Sequence, residues 1–383
     1  MSEYLPGLEG VPATRSNISF IDGEKGILAY RGYPIEQLAE HSSFEETTLL
    51  LLDGRLPTPA ELADFDDHLR RNRRVKYNIR EMMKHLPTTG HPMELLQTAV
   101  ASLGMFYPSN ECLTDAQLCD DLNYIHNMTV KIIARMPVLV TMWEHIRNGY
   151  DPIAPRCDLN FAENLLYMFN GEDPDPLLAD IMDTCLVLHA EHTINASTFA
   201  ALVAGSTLAS PYGVVASAIG TLSGPLHGGA NQKVVNMLKQ IGSPAQVKPW
   251  LEQKLAAKEK VWGFGHREYK VKDPRANILQ KLVERLARER GVSAEFETAL
   301  ALEEAAAERL GAKGVYPNVD FYSGILYAEM GIPSDQFTSI FAVARSAGWL
   351  AHWREQLADN RIFRPTQVYT GEPVRDYVLI DKR

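Results

Sequence analysis

Three short motifs in the C-terminal half of the chain each set one proton-active side chain among glycines, prolines or aromatics. They are His227 in GPLHGGAN, His266 in GFGHREYKVKDPRA and Asp320 in YPNVDFYSG. Two histidines and a carboxylate are enough for proton abstraction beside a carbonyl, given a fold that brings them together. Such chemistry needs a base, a donor to the developing oxyanion and a group that activates the electrophile.

Pro225 and the glycines around His227 mark a turn, and the spacing of Val234, Val235 and Leu238 predicts a helix from Asn231 onward. His227 then stands just before a helix N-terminus, whose dipole disfavours imidazolium. A neutral ring there can donate to a carbonyl or enolate oxygen; a histidine that only satisfies its turn would read the same way. GFGHRE starts like a dinucleotide-binding fingerprint and fails it, since Glu268 occupies the third glycine position without a strand–glycine–helix context. What remains is a tight loop presenting His266, followed by Arg267, Lys270, Lys272 and Arg275. That set suits a ligand with several negative groups, or is simply a basic loop on an acidic protein. Asp320 lies between Val319 and Phe321. Desolvation there would raise its pKa and make it a better base, the alternative being a helix cap or a structural buried Asp. In LHAEHTINAS, His189 and His192 are three apart on a predicted helix and would share a face, as a zinc pair does. HAEH is not the HExxH motif and no third ligand is evident, so no metal is assigned.

These motifs need a large scaffold. With 383 residues, 45% hydrophobic and 22% charged, the chain reads as globular, with two domains or one large domain carrying an insertion. A net charge of −10 speaks against a nucleic-acid partner. The basic cluster Arg70, Arg71, Arg73, Arg74 and Lys76 follows Asp64, Asp66 and Asp67 on one predicted helix. Acid early and base late suits the helix dipole, so a solvated helix end is expected, with anion binding as the alternative. Cys112, Cys119, Cys157 and Cys185 form no CxxC pair and read as reduced thiols of a cytoplasmic protein. MSEYLPGLEG lacks a signal-peptide pattern. Residues 193–232 contain no Asp, Glu, Lys or Arg, yet are studded with Asn195, Ser197, Thr198, Ser206, Thr207, Ser210, Pro211 and Gly213. Their small apolar residues predict buried helices at a core or subunit interface rather than a membrane span.

ISFIDGEKGILAYRGY alternates apolar residues about Asp22-Gly23 and Lys25-Gly26, a hairpin signature. Beyond it the periodicity is helical. Ser43 with Glu46 suggests a capping box before a helix closed by Gly54, and Thr58, Pro59 and Glu61 supply the start of another. Asp273-Pro274 opens a helix ending at Gly291, Ser293 one ending near Gly311, and Ser334 a long one through Phe337, Phe341, Ala344 and Leu350. The fold is therefore read as mostly α, multi-helical, with a short N-terminal β-hairpin. At Lys233 an uncharged block gives way to a charged one lasting to about Ala312, as a smaller, more solvated inserted domain would show.

Taken in order, the hairpin from Ile18 to Tyr33, LHAEHTINASTF, GPLHGGAN, GFGHREYKVKDPRA, YPNVDFYSG, FAVARSAGWLAHWREQ and FRPTQVYTG resemble the citrate synthase family along nearly the whole chain. The resemblance implies an all-α dimer in which residues 1–227 and 327–383 form a large domain and residues 228–326 a small domain that closes over substrate. It implies acyl transfer with conversion to alkyl. Asp320 would take a methyl proton from acetyl-CoA, His227 would hold the thioester oxygen, and His266 would polarise the oxaloacetate ketone before citryl-CoA is hydrolysed. Arg275 and Arg345 would bind substrate carboxylates, Arg364 would do so in the neighbouring subunit, and His192 and Asn195 would line the oxaloacetate site. Lys270 and Lys313 would contact CoA. No metal or other cofactor is implied, acetyl-CoA being a substrate. Two alternatives remain: a 2-methylcitrate synthase using propionyl-CoA, and a non-catalytic carboxylate-binding assembly subunit. A further expectation is a dimer without NADH inhibition, because only about 17 residues precede the hairpin, whereas the resemblance gives NADH-inhibited hexamers an extra segment there.

Overall fold

The hairpin forms where alternation and turn residues place it. In the computed structural model, which describes residues 4–107 and 122–383, β1 (Ser19–Asp22) pairs antiparallel with β2 (Ile27–Tyr30), and β2 with the short β3 (Tyr33–Pro34). Asp22 shapes the turn by accepting from the Lys25 N–H at 3.1 Å and from its ammonium at 2.9 Å.

Sixteen α-helices follow among the described residues. The first five are α1 (Ile35–His41), α2 (Phe44–Asp53), α3 (Pro59–Asn72), α4 (Tyr77–Lys84) and α5 (Pro92–Phe106). The next five are α6 (Leu122–Arg147), α7 (Phe161–Asn170), α8 (Pro176–His189), α9 (Ala196–Ser206) and α10 (Pro211–Leu222). The charged block holds α11 (Ala230–Ile241), α12 (Pro244–Ala256), α13 (Pro274–Arg290) and α14 (Ala294–Leu310); α15 (Val319–Glu329) follows it, and α16 (Phe337–Leu357) comes last.

Local chemistry sets these boundaries. Thr58 and Glu61 make a reciprocal capping box at α3, with the Thr58 N–H donating to Glu61 at 2.8 Å. Ser43 accepts from the Glu46 N–H at 3.1 Å, one half of the box expected there. Ser334 starts a single 3-10 turn, and α16 proper begins at Phe337. Within α3, Arg70 and Arg71 pair with Asp66 and Asp67 one turn back. Arg73 lies past the helix end and turns inward onto the carbonyls of Arg156 and Leu159.

Burial organises the rest. α16 is buried along nearly its whole length and packs against α2, α6, α8, α9 and α10, with Trp349 and Trp353 sealed. The uncharged stretch folds into α9 and α10, which pack on each other and on α5 and α16. Among the described residues no helix is long and apolar enough to cross a membrane. Around the charged block, α11 packs on α14 and on α15 beyond it, α12 on α14, and α13 on α15; α13 also meets α1 and α8. Cys157 and Cys185 are free thiols; Cys112 and Cys119 lie outside the described residues.

Candidate active site

His227 lies in the turn between α10 and α11. Its ring reaches the start of α9, where the Ser197 N–H donates to Nε2 at 3.2 Å and Ser197 Oγ lies 2.9 Å away. An imidazole nitrogen that accepts carries no proton, so the ring is neutral with its proton on Nδ1. Burial pushes its pKa down to about 4, helped by the positive charge of Arg345. The sequence pointed to the dipole of the following helix; the N–H that meets the ring belongs instead to α9. Ser197 is itself fixed by Trp349, whose indole N–H donates to Oγ at 3.1 Å, and by Asn195, whose Oδ1 lies 2.7 Å from Oγ.

His266 and Asp320 are set by two loops that pair backbone to backbone. Gly265 N–H donates to Tyr316 O at 2.8 Å, Asn318 N–H donates to Gly263 O at 2.9 Å, and Phe264 bridges Pro317. Gly263 and Gly265 sit at φ +80° and +84°, a region costly for other residues, and so turn the loop tightly on either side of Phe264. His266 Nδ1 accepts from the N–H groups of Glu268 at 3.0 Å and Tyr269 at 3.3 Å. This is the opposite tautomer to that of His227: Nδ1 is bare and Nε2 carries the proton. Burial and Arg275 hold its pKa down at about 4.

Asn318 caps α15 by accepting from the Asp320 N–H at 3.0 Å, so Asp320 is not itself the cap. The Asp320 carboxylate lies beside Arg275 and Arg345 electrostatically, and its Oδ1 is sealed from solvent without a hydrogen-bond partner. Burial raises its pKa to about 7, against the pull of both arginines.

His192 completes a ring cluster. Its ring centroid is 5.0 Å from that of His266, and Nε2 is 3.2 Å from the Tyr269 hydroxyl. Burial, Arg275 and His266 keep it neutral. The expectation that His189 and His192 share one helical face is corrected. α8 stops at His189, because Arg345 Nε takes the His189 carbonyl at 2.7 Å and Tyr30 OH takes the Glu191 carbonyl at 2.8 Å. His189 Nδ1 turns back to Cys185 O at 2.7 Å, so the two rings have separate partners.

Arg275 is held in a bidentate fork by Asp273, with contacts of 3.1 and 2.7 Å, both residues buried. Burial opposes its charge, but Asp273 more than compensates and raises its pKa. Arg345, buried at the middle of α16 with its guanidinium over the Phe341 ring, lacks so close a counterion, and desolvation lowers it to about 10. The basic run after His266 is not one anion-binding set. Lys272 turns away onto Glu303 at 2.5 Å and Gln280 at 2.6 Å, while Arg267 and Lys270 face solvent. Asn195 spends its side chain on capping α9. Lys313 and Arg364 are exposed, and Arg364 donates to Pro365 O at 3.1 Å; no hydrogen bond among the described residues ties it to the ring cluster.

Sequence reasoning missed Ser197, Trp349, Tyr269 and Asp273. Asp273 showed only as a helix start, and Ser197 only as one polar residue in an uncharged stretch. It also missed Glu191, fully buried, whose Oε1 accepts from Ser19 Oγ at 2.9 Å and lies 3.0 Å from His352 Nε2.

The model of the family described as "Citrate synthase, C-terminal domain" matches residues 7–366. The citrate synthase of Acidithiobacillus ferridurans is 62% identical over 382 residues, covering 99% of this chain and 98% of the relative. The crystal structure of citrate synthase from Pyrobaculum aerophilum superposes with a TM-score of 0.91 at 40% identity, covering 98% of this chain and 95% of that one. That of Thermoplasma acidophilum citrate synthase, a ternary complex with carboxymethyl coenzyme A and oxaloacetate, reaches a TM-score of 0.93 at 32% identity over the whole of both chains. With two histidines of opposite tautomer, a desolvated carboxylate and two buried arginines on a fold matched end to end, this chain belongs to the citrate synthase family of acyltransferases.

Proposed function

We propose that this protein is a citrate synthase, which condenses acetyl-CoA with oxaloacetate and hydrolyses citryl-CoA to citrate and CoA. The observation that carries the reading is the state of Asp320: a carboxylate whose Oδ1 is sealed without a hydrogen-bond partner, with a pKa raised by burial to about 7 within the electrostatic reach of the buried Arg275 and Arg345. Such a group is a base poised at neutral pH. Asp320 takes a proton from the acetyl methyl group while His227 Nδ1–H donates to the thioester oxygen, giving the enol. The enol carbon attacks the oxaloacetate ketone, whose oxygen is polarised and then protonated by His266 Nε2–H. Water cleaves the resulting thioester and releases CoA. In the condensation each proton has a named donor or acceptor; in the hydrolysis water gives its hydroxyl to the acyl carbon and a proton to the departing CoA thiolate. The sequence calls for no metal or redox cofactor.

Arg275 and Arg345 bind the oxaloacetate carboxylates beside His192, while Asn195 holds the loop that carries it. Lys270 and Lys313 are exposed and suited to CoA phosphates. Residues 228–326 form the small domain and close over both substrates, excluding water while the enol exists. The protein works as a cytoplasmic homodimer. Supporting the dimer, the segment after α16 exposes Ile362, Val368, Tyr369, Tyr377 and Ile380, apolar side chains that a partner subunit would cover. Arg364 lies on that segment and would reach the partner's site.

CoA release, measured with acetyl-CoA and with propionyl-CoA in the presence of oxaloacetate, tests the reading. A higher kcat/KM for acetyl-CoA is expected. A preference for propionyl-CoA would make the enzyme a 2-methylcitrate synthase, and no release with either would leave a carboxylate-binding subunit.

A further inference from the structure

The N-terminal hairpin touches both loops that carry the ring cluster. At its base, Ser19 Oγ accepts from the Thr193 N–H at 3.1 Å and donates to Glu191 at 2.9 Å, and Tyr30 OH donates to the Glu191 carbonyl. These bonds hold residues 191–193 and therefore His192. At its tip, Gly23 O accepts from the Lys270 N–H at 3.0 Å. The approach is so close that a Cβ on Gly23 would stand 2.0 Å from the Glu268 carbonyl oxygen and 2.7 Å from its carbon. Gly26, at φ +65°, leaves no room either: a Cβ there would meet Val271 Cγ2 at 2.8 Å. Of the peptides seated on the tip, the one joining Glu268 to Tyr269 carries the Tyr269 N–H, which together with the neighbouring Glu268 N–H fixes the His266 tautomer.

We propose that the hairpin is a positioning element of the active site, spacing the His192 loop from the His266 loop, with Gly23 as the seat on which His266 acquires its orientation and its Nε2 proton. Gly23 touches no reacting atom and acts through the 268–270 peptides. The function assigned to His266 rests on the citrate synthase reading; the contact and the tautomer do not.

The test is Gly23→Ala, with Lys25→Ala as control. Lys25 lies on the same turn, 73% exposed, and its loss removes one surface ion pair without touching the loop. Gly23→Ala should lower kcat by about 10- to 100-fold, as expected for a small misplacement of a reacting group. It should change KM much less, whatever the overlap with the Glu268 carbonyl takes from the thermal midpoint. Imidazole 15N spectra, with His266 assigned by its loss in His266→Gln, should show the Nε2–H tautomer in the wild type and a mixture in Gly23→Ala. Lys25→Ala should match the wild type in both respects. Equal kcat and an unchanged His266 signature in Gly23→Ala would overturn the proposal. So would a purely structural outcome, with a lower thermal midpoint but an intact tautomer and kcat. If Gly23→Ala does not fold, hydrogen exchange on the wild type decides: the Lys270 amide should be protected and more so with oxaloacetate, and free-loop exchange under both conditions would refute the seat. Absence of CoA release by the wild type would count against the functional reading alone, since the spectra and the exchange read the seat directly.

Discussion

The Ser197 N–H donates to His227 Nε2 at 3.2 Å, and that bond leaves the ring proton on Nδ1. Ser197 Oγ stands between this ring and Trp349, so the hydroxyl joins the His227 turn to the central helix α16. Ser197→Ala keeps the backbone donor and removes the hydroxyl. A hydrogen bond of this kind contributes about 1 kcal/mol, so kcat should fall roughly 5- to 10-fold, with little change in KM for oxaloacetate. Initial-rate measurements on the purified variant decide; an unchanged kcat would mean that the backbone bond suffices.

The pH dependence of kcat/KM for acetyl-CoA reports the free enzyme's base. With Asp320 at about 7 and His227 and His266 at about 4, activity should rise tenfold per pH unit below about 7 and level off above it. Neither histidine titrates between pH 5 and 9. An acid limb centred near 4 would show that Asp320 is not the desolvated base described.

Stability should depend on the same groups. A carboxyl with a raised folded pKa favours the native state most below its unfolded value and loses that contribution as pH rises through the folded value. Asp320→Asn should therefore gain on the wild type between about pH 4 and 7. Histidines with depressed folded values act the other way. His189, at about 3, and His227 and His266, at about 4, stabilise the fold above the unfolded value of 6.5 and lose that contribution as pH falls towards 4. Because the raised carboxyls Asp320 and Asp183 gain over the same window, the histidine contribution is read by difference: between pH 7.5 and pH 5 in urea unfolding, the wild type should lose stability relative to His189→Gln. An identical pH dependence in the two proteins would contradict the buried, neutral state of His189.

The helices were legible because their ends carry their own chemistry: Thr58-Pro59-Glu61, Asp273-Pro274 and Ser293 each marked a boundary that the fold respects. His227, His266 and Asp320 were legible because an unusual side chain stood in each glycine- or proline-marked turn. What was hidden depends on contacts between distant segments. No spacing rule joins Ser197 to His227, Ser19 to Glu191 or Gly23 to Lys270, and Asp273 served equally well as a helix cap and as the counterion of Arg275. The end of α8 was misread because Arg345 and Tyr30, far off in sequence, supply the groups that terminate it.

The role of Asp320 is the centre of the account, and Asp320→Gly tests it most directly by pairing turnover with oxaloacetate binding on the same preparation. Removing a positioned general base costs about 100- to 10,000-fold. The account predicts a fall in CoA release within that range while calorimetry still detects oxaloacetate bound through Arg275 and Arg345. Turnover near the wild-type rate with oxaloacetate still bound would contradict it.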